Sequence, residues 1–299
     1  MIYLKYFQFP FSFQETEFLH PGEMTAEDVL NNVYKDTRPM ETTDSIYPFT
    51  VLSQVGLEHL YFGEITILHG ENGCGKTTAL NVIAEKLKIK RDNLFNSGQF
   101  FQDYLNRCSF SCGTLPLQSS IITSDDVFAH SMNKRQTNAR REIQRKELII
   151  KHKQIIRDDP LLHSLEDYDR WKERQEAIQS KSRFMKARLE AEAKEYSNGE
   201  TAISYFIERM EKSALYLIDE PENSLSFENQ IKLAEYIYLS ARHFNSQFII
   251  ATHSPIFLSI KNAVIYDMNG ASTEKKIWTE LDSVRTMYDF FKSHEDEFV

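Results

Sequence analysis

Gly70-Glu71-Asn72-Gly73-Cys74-Gly75-Lys76-Thr77 is the stretch whose reading decides the fold, and it meets the pattern G-x-x-x-x-G-K-[ST] at every specified position. Glycine lets consecutive backbone N–H groups turn inward around phosphate oxygens, and a helix that starts at the end of the loop adds its positive end. In such a cradle Gly70, Asn72, Gly73, Cys74 and Gly75 form the wall, with Thr78 following on the helix. Lys76 reaches the β- and γ-phosphates and the Thr77 hydroxyl ligates magnesium. The bland alternative is a glycine turn between a strand and a helix. The pattern needs that context in any case, and the sequence supplies it. Ile65-Thr66-Ile67-Leu68 reads as a strand, and residues 77–87 carry apolar side chains at helical spacing.

Working outward, strand-like runs recur at residues 120–123, 215–218, 248–251 and 263–266, with a helix expected over residues 228–244. Strands alternating with helices predict a largely parallel sheet with helices on its faces. The first 68 residues are mixed polar and aromatic, with short strand-like pieces such as Phe49-Thr50-Val51-Leu52. Residues 1–10 read as a first strand; they lack the basic-then-apolar order of a signal peptide. No window approaches the roughly 18 uninterrupted apolar residues of a spanning helix, so no membrane role is expected. Three cysteines, Cys74, Cys108 and Cys112, form no even framework, which fits a reducing cytoplasm.

The net charge of −9 is unevenly spread. From about residue 130 to 196 there are seventeen Lys/Arg and twelve Asp/Glu, a local balance of +5 that leaves −14 elsewhere. Asp158-Asp159-Pro160 divides this segment with a helix-start signal. Two helices folded as an antiparallel hairpin are expected, over residues 131–157 and 160–195, the first roughly 40 Å long. Lys134, Arg135, Arg140, Arg141, Arg145, Lys146, Lys151, Lys153 and Arg157 lie on the first helix, offset by Glu142 and Glu147. Such a face suits nucleic-acid phosphates, an acidic protein partner or plain solvation.

Three further places bear on chemistry. Leu215-Tyr216-Leu217-Ile218-Asp219-Glu220 is a buried-strand pattern ending in two carboxylates. Asp219 is placed to hold the magnesium shell and Glu220 to orient and deprotonate a water, although acidic residues also end ordinary strands. His253, after the strand at 248–251, falls where ligands of parallel sheets bind; a neutral imidazole there donates to a γ-phosphate oxygen while accepting elsewhere, or is simply structural. Ser197, Asn198 and Gly199 form a small polar turn at a helix start that grips an anion or merely caps the helix.

In this order and context, residues 70–77, 197–199, Asp219-Glu220 and His253 resemble the ABC-type ATPase superfamily, over about residues 63 to 268. Within it the chain looks like the compact soluble ATPases of the SMC-like and OLD-like group. Leu217-Ile218-Asp219-Glu220-Pro221-Glu222-Asn223-Ser224-Leu225 and Gln247-Phe248-Ile249-Ile250-Ala251-Thr252-His253-Ser254-Pro255 carry that likeness. The resemblance implies an α/β P-loop NTPase fold with a largely parallel sheet, an antiparallel N-terminal β part and an inserted helical lobe. Residues 1–129 and 197–299 would be the core and 130–196 the lobe. It implies ATP and Mg2+, hydrolysis to ADP and phosphate, and a head-to-tail homodimer with composite sites. Ser197 and Gly199 would then contact the γ-phosphate held by the partner, and residues 223–226 would link the two sites. Lys76 would act on the phosphates, Glu220 as base and His253 as switch histidine. An associated protein effector, such as a nuclease in anti-phage defence or DNA maintenance, completes the picture. A slow-turnover sequestering module is the alternative, and a transporter subunit fits least.

The chain also departs from the family pattern. Ser-Asn-Gly-Glu replaces Ser-Gly-Gly-Gln, Ser226 replaces an aspartate, and Asp125 stands at the glutamine position that would meet the metal. No aromatic residue is identified for stacking on adenine.

Overall fold

The runs at residues 65–68, 215–218 and 248–251 are apolar nearly throughout rather than alternating, so the sheet has to be covered on both faces. The computed structural model describes residues 1–19, 46–95, 97–157, 165–182, 184, 198–210 and 213–298. Its strands in chain order are β1 (Leu4–Gln8), β2 (His59–Tyr61), β3 (Ile65–His69), β4 (Ser109–Cys112), β5 (Ser120–Thr123), β6 (Leu215–Asp219), β7 (Gln247–Thr252), β8 (Val264–Asp267) and β9 (Glu274–Lys275). The helices are α1 (Ser12–Leu19), α2 (Lys76–Lys86), α3 (Phe101–Arg107), α4 (Ser124–Arg157), α5 (Leu165–Gln179), α6 (Asn198–Arg209), α7 (Phe227–His243), α8 (Pro255–Leu258) and α9 (Asp282–Ser293).

A six-stranded sheet runs β5-β6-β7-β3-β8-β9, parallel throughout except for β9. A separate antiparallel sheet runs β2-β1-β4. With the helical insertion this is an α/β architecture, a mostly parallel sheet beside a separate antiparallel one. Leu215, Leu217, Ile249 and Ala251 face one core with α2, α3 and the antiparallel sheet. Tyr216, Ile218, Phe248 and Ile250 face the other, with α6 and α7. Each fully buried Leu, Ile or Phe contributes about 1.5–3 kcal/mol by leaving water.

The chain forms two compact units, residues 1–127 with 202–299, and residues 128–201. In the second, His152 is buried, its Nε2 lies 3.1 Å from the Ala177 carbonyl and Lys151 pairs with Glu173 at 3.0 Å. These contacts join α4 and α5 as a hairpin. One expected boundary needs correction, and the other helix is described only in part. The first hairpin helix begins at Ser124, not 131, because Thr123-Ser124-Asp125-Asp126 is itself a helix start: Asp126 accepts from the Thr123 N–H at 2.7 Å and the Thr123 hydroxyl at 2.9 Å. The second is helical over Leu165–Gln179, while Pro160 and residues 185–195 lie outside the described residues. Residues 49–52 are a turn, not a strand; Thr50 has φ +68°, and Phe49 and Leu52 are apolar because they plug the core.

One side chain couples the two sheets of the first unit. Gln247 opens β7 fully buried. Its Oε1 accepts from the Tyr3 and Leu4 N–H groups, both at 2.9 Å. Its Nε2 donates to the carbonyls of Leu4 at 2.8 Å and Gly63 at 2.9 Å. A leucine would fit the volume and satisfy none of these groups, and each buried orphan costs about 1–3 kcal/mol. Gln247→Leu is therefore expected to lower unfolding free energy by about 3 kcal/mol or more in a urea titration. A change below about 0.5 kcal/mol would show that the clamp carries no load.

Candidate active site

Because β3, β5, β6, β7 and β8 run parallel, their carboxyl ends share one edge. Register then aligns the segments that follow: Thr123 lies opposite Asp219, Asp219 opposite Ala251, and His69 between Thr252 and Asp267. This edge gathers Lys76, Thr77, Asp219, Glu220 and His253, which the sequence separates by up to 177 positions.

The loop after β3 is held from three sides. Gly73 and Gly75 adopt φ of +89° and +93°, the left-handed region that glycine occupies without penalty. A Cβ on Gly75 would also come within 2.9 Å of Leu52 Cδ2, so the 49–52 turn is the loop's backing. That turn is tied down by buried Glu15, which accepts from Thr50 N–H at 2.9 Å and the Ser53 hydroxyl at 2.7 Å. On the far side Asn269 Oδ1 accepts from Glu71 N–H at 2.6 Å, and Asp267, paired with Lys276 at 2.7 Å, holds Asn269 N–H in turn. Below, desolvation pushes the pKa of buried His69 down from its ordinary value; its Nδ1 lies 3.4 Å from the Thr252 carbonyl and its Nε2 lies 3.0 Å from the Ser283 hydroxyl. Nδ1, facing a carbonyl that only accepts, is the donor of that pair.

Lys76 is buried at 4% exposure and donates to the carbonyls of Gly70 at 2.7 Å and Glu71 at 2.9 Å, with Glu220 Oε1 at 3.8 Å. The Thr77 hydroxyl donates to Asp219 Oδ1 at 3.1 Å. These two oxygens are hard donors of the kind magnesium takes, and that ion commonly uses one or two protein oxygens and completes its shell with water and phosphate. No cluster of three or more His, Cys, Asp or Glu suited to a metal occurs among the described residues. Magnesium fits the Thr77–Asp219 pair. When bound it would neutralise phosphate charge there.

Burial pushes the Asp219 carboxyl up to about 7; the Thr77 hydrogen bond and Lys76 oppose this, while the charges of Glu220 and Glu222 add to it. Glu220 follows in the left-handed region at φ +44°, an uncommon conformation for a residue with a side chain and one that collects at active sites. Asn223 Nδ2 donates to its Oε2 at 2.8 Å. Ser226, at the aspartate position of the linking loop, instead caps α7 through the Asn229 N–H.

A cavity of about 390 Å3 adjoins Thr77 and Asp219 and is lined in part by these two with Asp125, Arg91, Asn93 and Tyr47. Asp125 is exposed on the first turn of α4. Its neighbour Asp126 is the buried one, taken up by Thr123 and by Asn93 Nδ2 at 2.6 Å. Arg91 donates to Asn81 at 2.6 Å and rests over the Phe95 ring at 4.1 Å. Tyr47 donates to the Thr78 hydroxyl at 3.3 Å. Arg91, Asn93 and Tyr47 carry no motif that the sequence reading could have caught. Ser197 lies outside the described residues, and Asn198 and Gly199 are the first two residues of α6.

The family model described as ABC transporter matches residues 57–223, and one described as AAA ATPase domain matches residues 201–258. The first covers more than half of the chain, and the chain belongs to that family as an ABC-type ATPase. A search of curated proteins returns no match. Similar solved structures include the Smc head domain from Pyrococcus furiosus with an extended coiled coil bound to the C-terminal domain of ScpA, at 12% identity, 79% of this chain and 95% of that one, TM-score 0.35. The SMC head domain from Thermotoga maritima follows at 13% identity, 73% and 92% coverage and TM-score 0.34. A nucleotide-free ATP-binding cassette from an ABC transporter gives 16% identity, 77% and 87% coverage and TM-score 0.35. These likenesses are distant, and the family assignment rests on the sequence match. No helix among the described residues is long and apolar enough to cross a membrane.

The raised pKa of Asp219 has a measurable sign. Between about pH 4 and pH 7 an unfolded Asp219 ionises while the folded one keeps its proton, so nucleotide-free protein loses stability through that window as pH rises. Asp219→Asn removes the penalty and keeps an acceptor for Thr77. The variant is expected to match wild type near pH 4 and to be more stable by on the order of 2–4 kcal/mol at pH 8 without nucleotide or metal. Equal stability at pH 8 would contradict the buried-carboxylate account.

Proposed function

We propose that this chain is a Mg2+-dependent ATPase working as a nucleotide-driven homodimeric switch on a separate protein effector. The observation that carries the reading is the meeting of Lys76, Thr77, Asp219 and Glu220, with Thr77 bonded to Asp219 at 3.1 Å and Lys76 beside Glu220 at 3.8 Å. Lys76, freed from the Gly70 and Glu71 carbonyls, turns to the phosphates. Thr77 and Asp219 hold the metal side. Glu220, steadied by Asn223, takes a proton from the attacking water. Ser197, Asn198 and Gly199 of a second copy supply the remaining anion contacts, as the family resemblance implies. Asp125 faces the same cavity as the metal pair and holds water or the ion there.

A protein effector is favoured over nucleic acid by the composition of α4. Arg140, Arg145, Lys146 and Lys153 are exposed, but so are Ile143 at 59% and Ile150 at 57%. Phosphate tracking gains little from exposed isoleucines, whereas an acidic partner surface with apolar pockets uses both. An effector nuclease in anti-phage defence or DNA maintenance belongs to this reading through resemblance.

The test is Glu220→Gln with ATP and magnesium. It is expected to bind ATP, lose at least about a hundredfold in turnover and shift to a dimer by size-exclusion light scattering. A variant that hydrolyses ATP at the wild-type rate would remove Glu220 as base. Reversal of Arg140, Arg145, Lys146 and Lys153 to glutamate is expected to leave basal ATPase unchanged and to abolish capture of the effector by the Glu220→Gln protein. Undiminished capture would take α4 out of the interface.

A further inference from the structure

The one buried side chain of α1 is an acid, Glu15, at 2% exposure. A carboxylate taken out of water is costly unless hydrogen bonds replace what it loses. Oε2 accepts from the Thr50 N–H at 2.9 Å and from the Ser53 hydroxyl at 2.7 Å. Burial pushes the carboxyl up from its ordinary range, and these two bonds pull it back in part. One turn further along the helix, Phe18 stacks on Phe49 with ring centroids 4.8 Å apart, so α1 also has an apolar anchor.

The two bonds bracket an unfavourable piece of backbone. Thr50 has φ +68°, and a β-branched residue there persists only where its surroundings over-determine it. The bond from its own N–H to Glu15 supplies that hold. Inside the bracket, Val51 and Leu52 face the phosphate loop: a Cβ on Gly75 would stand 3.1 Å from Val51 Cγ1 and 2.9 Å from Leu52 Cδ2. At the other end of the turn the Tyr47 hydroxyl donates to the Thr78 hydroxyl at 3.3 Å. Residues 47–53 thus rest on Gly75 and on the first turn of α2. Gly75, at φ +93°, is the residue before Lys76. Glu15 holds none of the phosphate, metal or water-activating positions, yet it reaches Gly75 through two successive contacts.

We propose that Glu15 is a positioning residue for nucleotide: by holding Thr50 left-handed it sets Val51 and Leu52 against Gly75 and keeps the phosphate loop in its binding conformation. The inference rests on the ATP-binding reading for its consequence, while the hold on the loop is read without any nucleotide. A released loop occupies that conformation only part of the time, and apparent affinity falls with the competent fraction. Lys76 and Glu220 are untouched, so turnover at saturating ATP is spared.

The experiment titrates full-length protein with N-methylanthraniloyl-ATP and magnesium, alongside steady-state ATPase assays, below the melting temperature of every variant. Glu15→Ala is expected to raise Kd and KM about tenfold with kcat within about threefold. Glu15→Gln keeps a carbonyl oxygen for both donors and is expected to bind within about threefold of wild type. In a Thr50→Gly background, where glycine takes positive φ unaided, the cost of Glu15→Ala is expected to shrink to about threefold or less. Unchanged Kd in Glu15→Ala overturns the proposal, as does equal loss in Glu15→Gln. An undiminished cost in the Thr50→Gly background, or a lowered kcat with unchanged KM, overturns it too. Where Glu15→Ala does not fold, Ser53→Ala removes one of the two bonds and is expected to weaken binding about threefold; wild-type affinity there also overturns the proposal. If wild type binds no nucleotide, the ATP reading fails. Amide hydrogen exchange over residues 70–77, expected to be faster in Glu15→Ala or its stand-in than in wild type, then decides whether Glu15 holds the loop, and equal exchange overturns it.

Discussion

Parallel pairing of β3 with β7 on one side and β8 on the other is the constraint on which the rest of the structure depends. Parallel strands need long crossovers, which is why motifs far apart in sequence end at one edge. The same pairing aligns residue with residue: the last position of β3 meets Thr252 and Asp267, and the last of β6 meets Ala251. A slip of one position would turn every side chain to the opposite core and carry Asp219 away from Thr77. The register is locked because Leu215, Leu217, Ile249 and Ala251 belong to one core and Tyr216, Ile218, Phe248 and Ile250 to the other.

Burial then determines the chemistry. The sheet edge that excludes water from Lys76 also strips water from Asp219, and the two answer differently. Lys76 replaces water with the Gly70 and Glu71 carbonyls. Asp219 has one hydroxyl and an excess of negative neighbours, so its carboxyl resists ionisation. A cation is the group whose arrival relieves that imbalance, which gives a physical reason for coupling metal to phosphate at this edge.

Much of this was legible in the sequence, for identifiable reasons. Residues 70–77 specify a conformation as well as a composition, and Gly73 and Gly75 occupy the positive φ that the motif demands. The runs at 215–219 and 247–252 read as strands because they are buried on both faces. Legibility stopped where a role depends on a neighbour in space. Asp125 and Asp126 look alike in sequence, yet only Asp126 is taken up by Thr123 and Asn93. Phe49 and Leu52 have the apolar character of strand residues, but Thr50 turns the chain between them. Glu222 reads as one more acid after Asp219-Glu220, and its meeting with His253 exists only because β6 and β7 are adjacent.

The Gln247 clamp has a consequence for the order in which the molecule can be built. β1 leaves the ribosome first, but the side chain that fastens it arrives more than 240 residues later. Both strands that flank β3 also lie at or beyond residue 247. During synthesis the phosphate loop is thus present long before the walls that shape it. A nascent chain carries residues 70–77 as an unsupported segment until residues 247–267 emerge, and the cradle is complete only then.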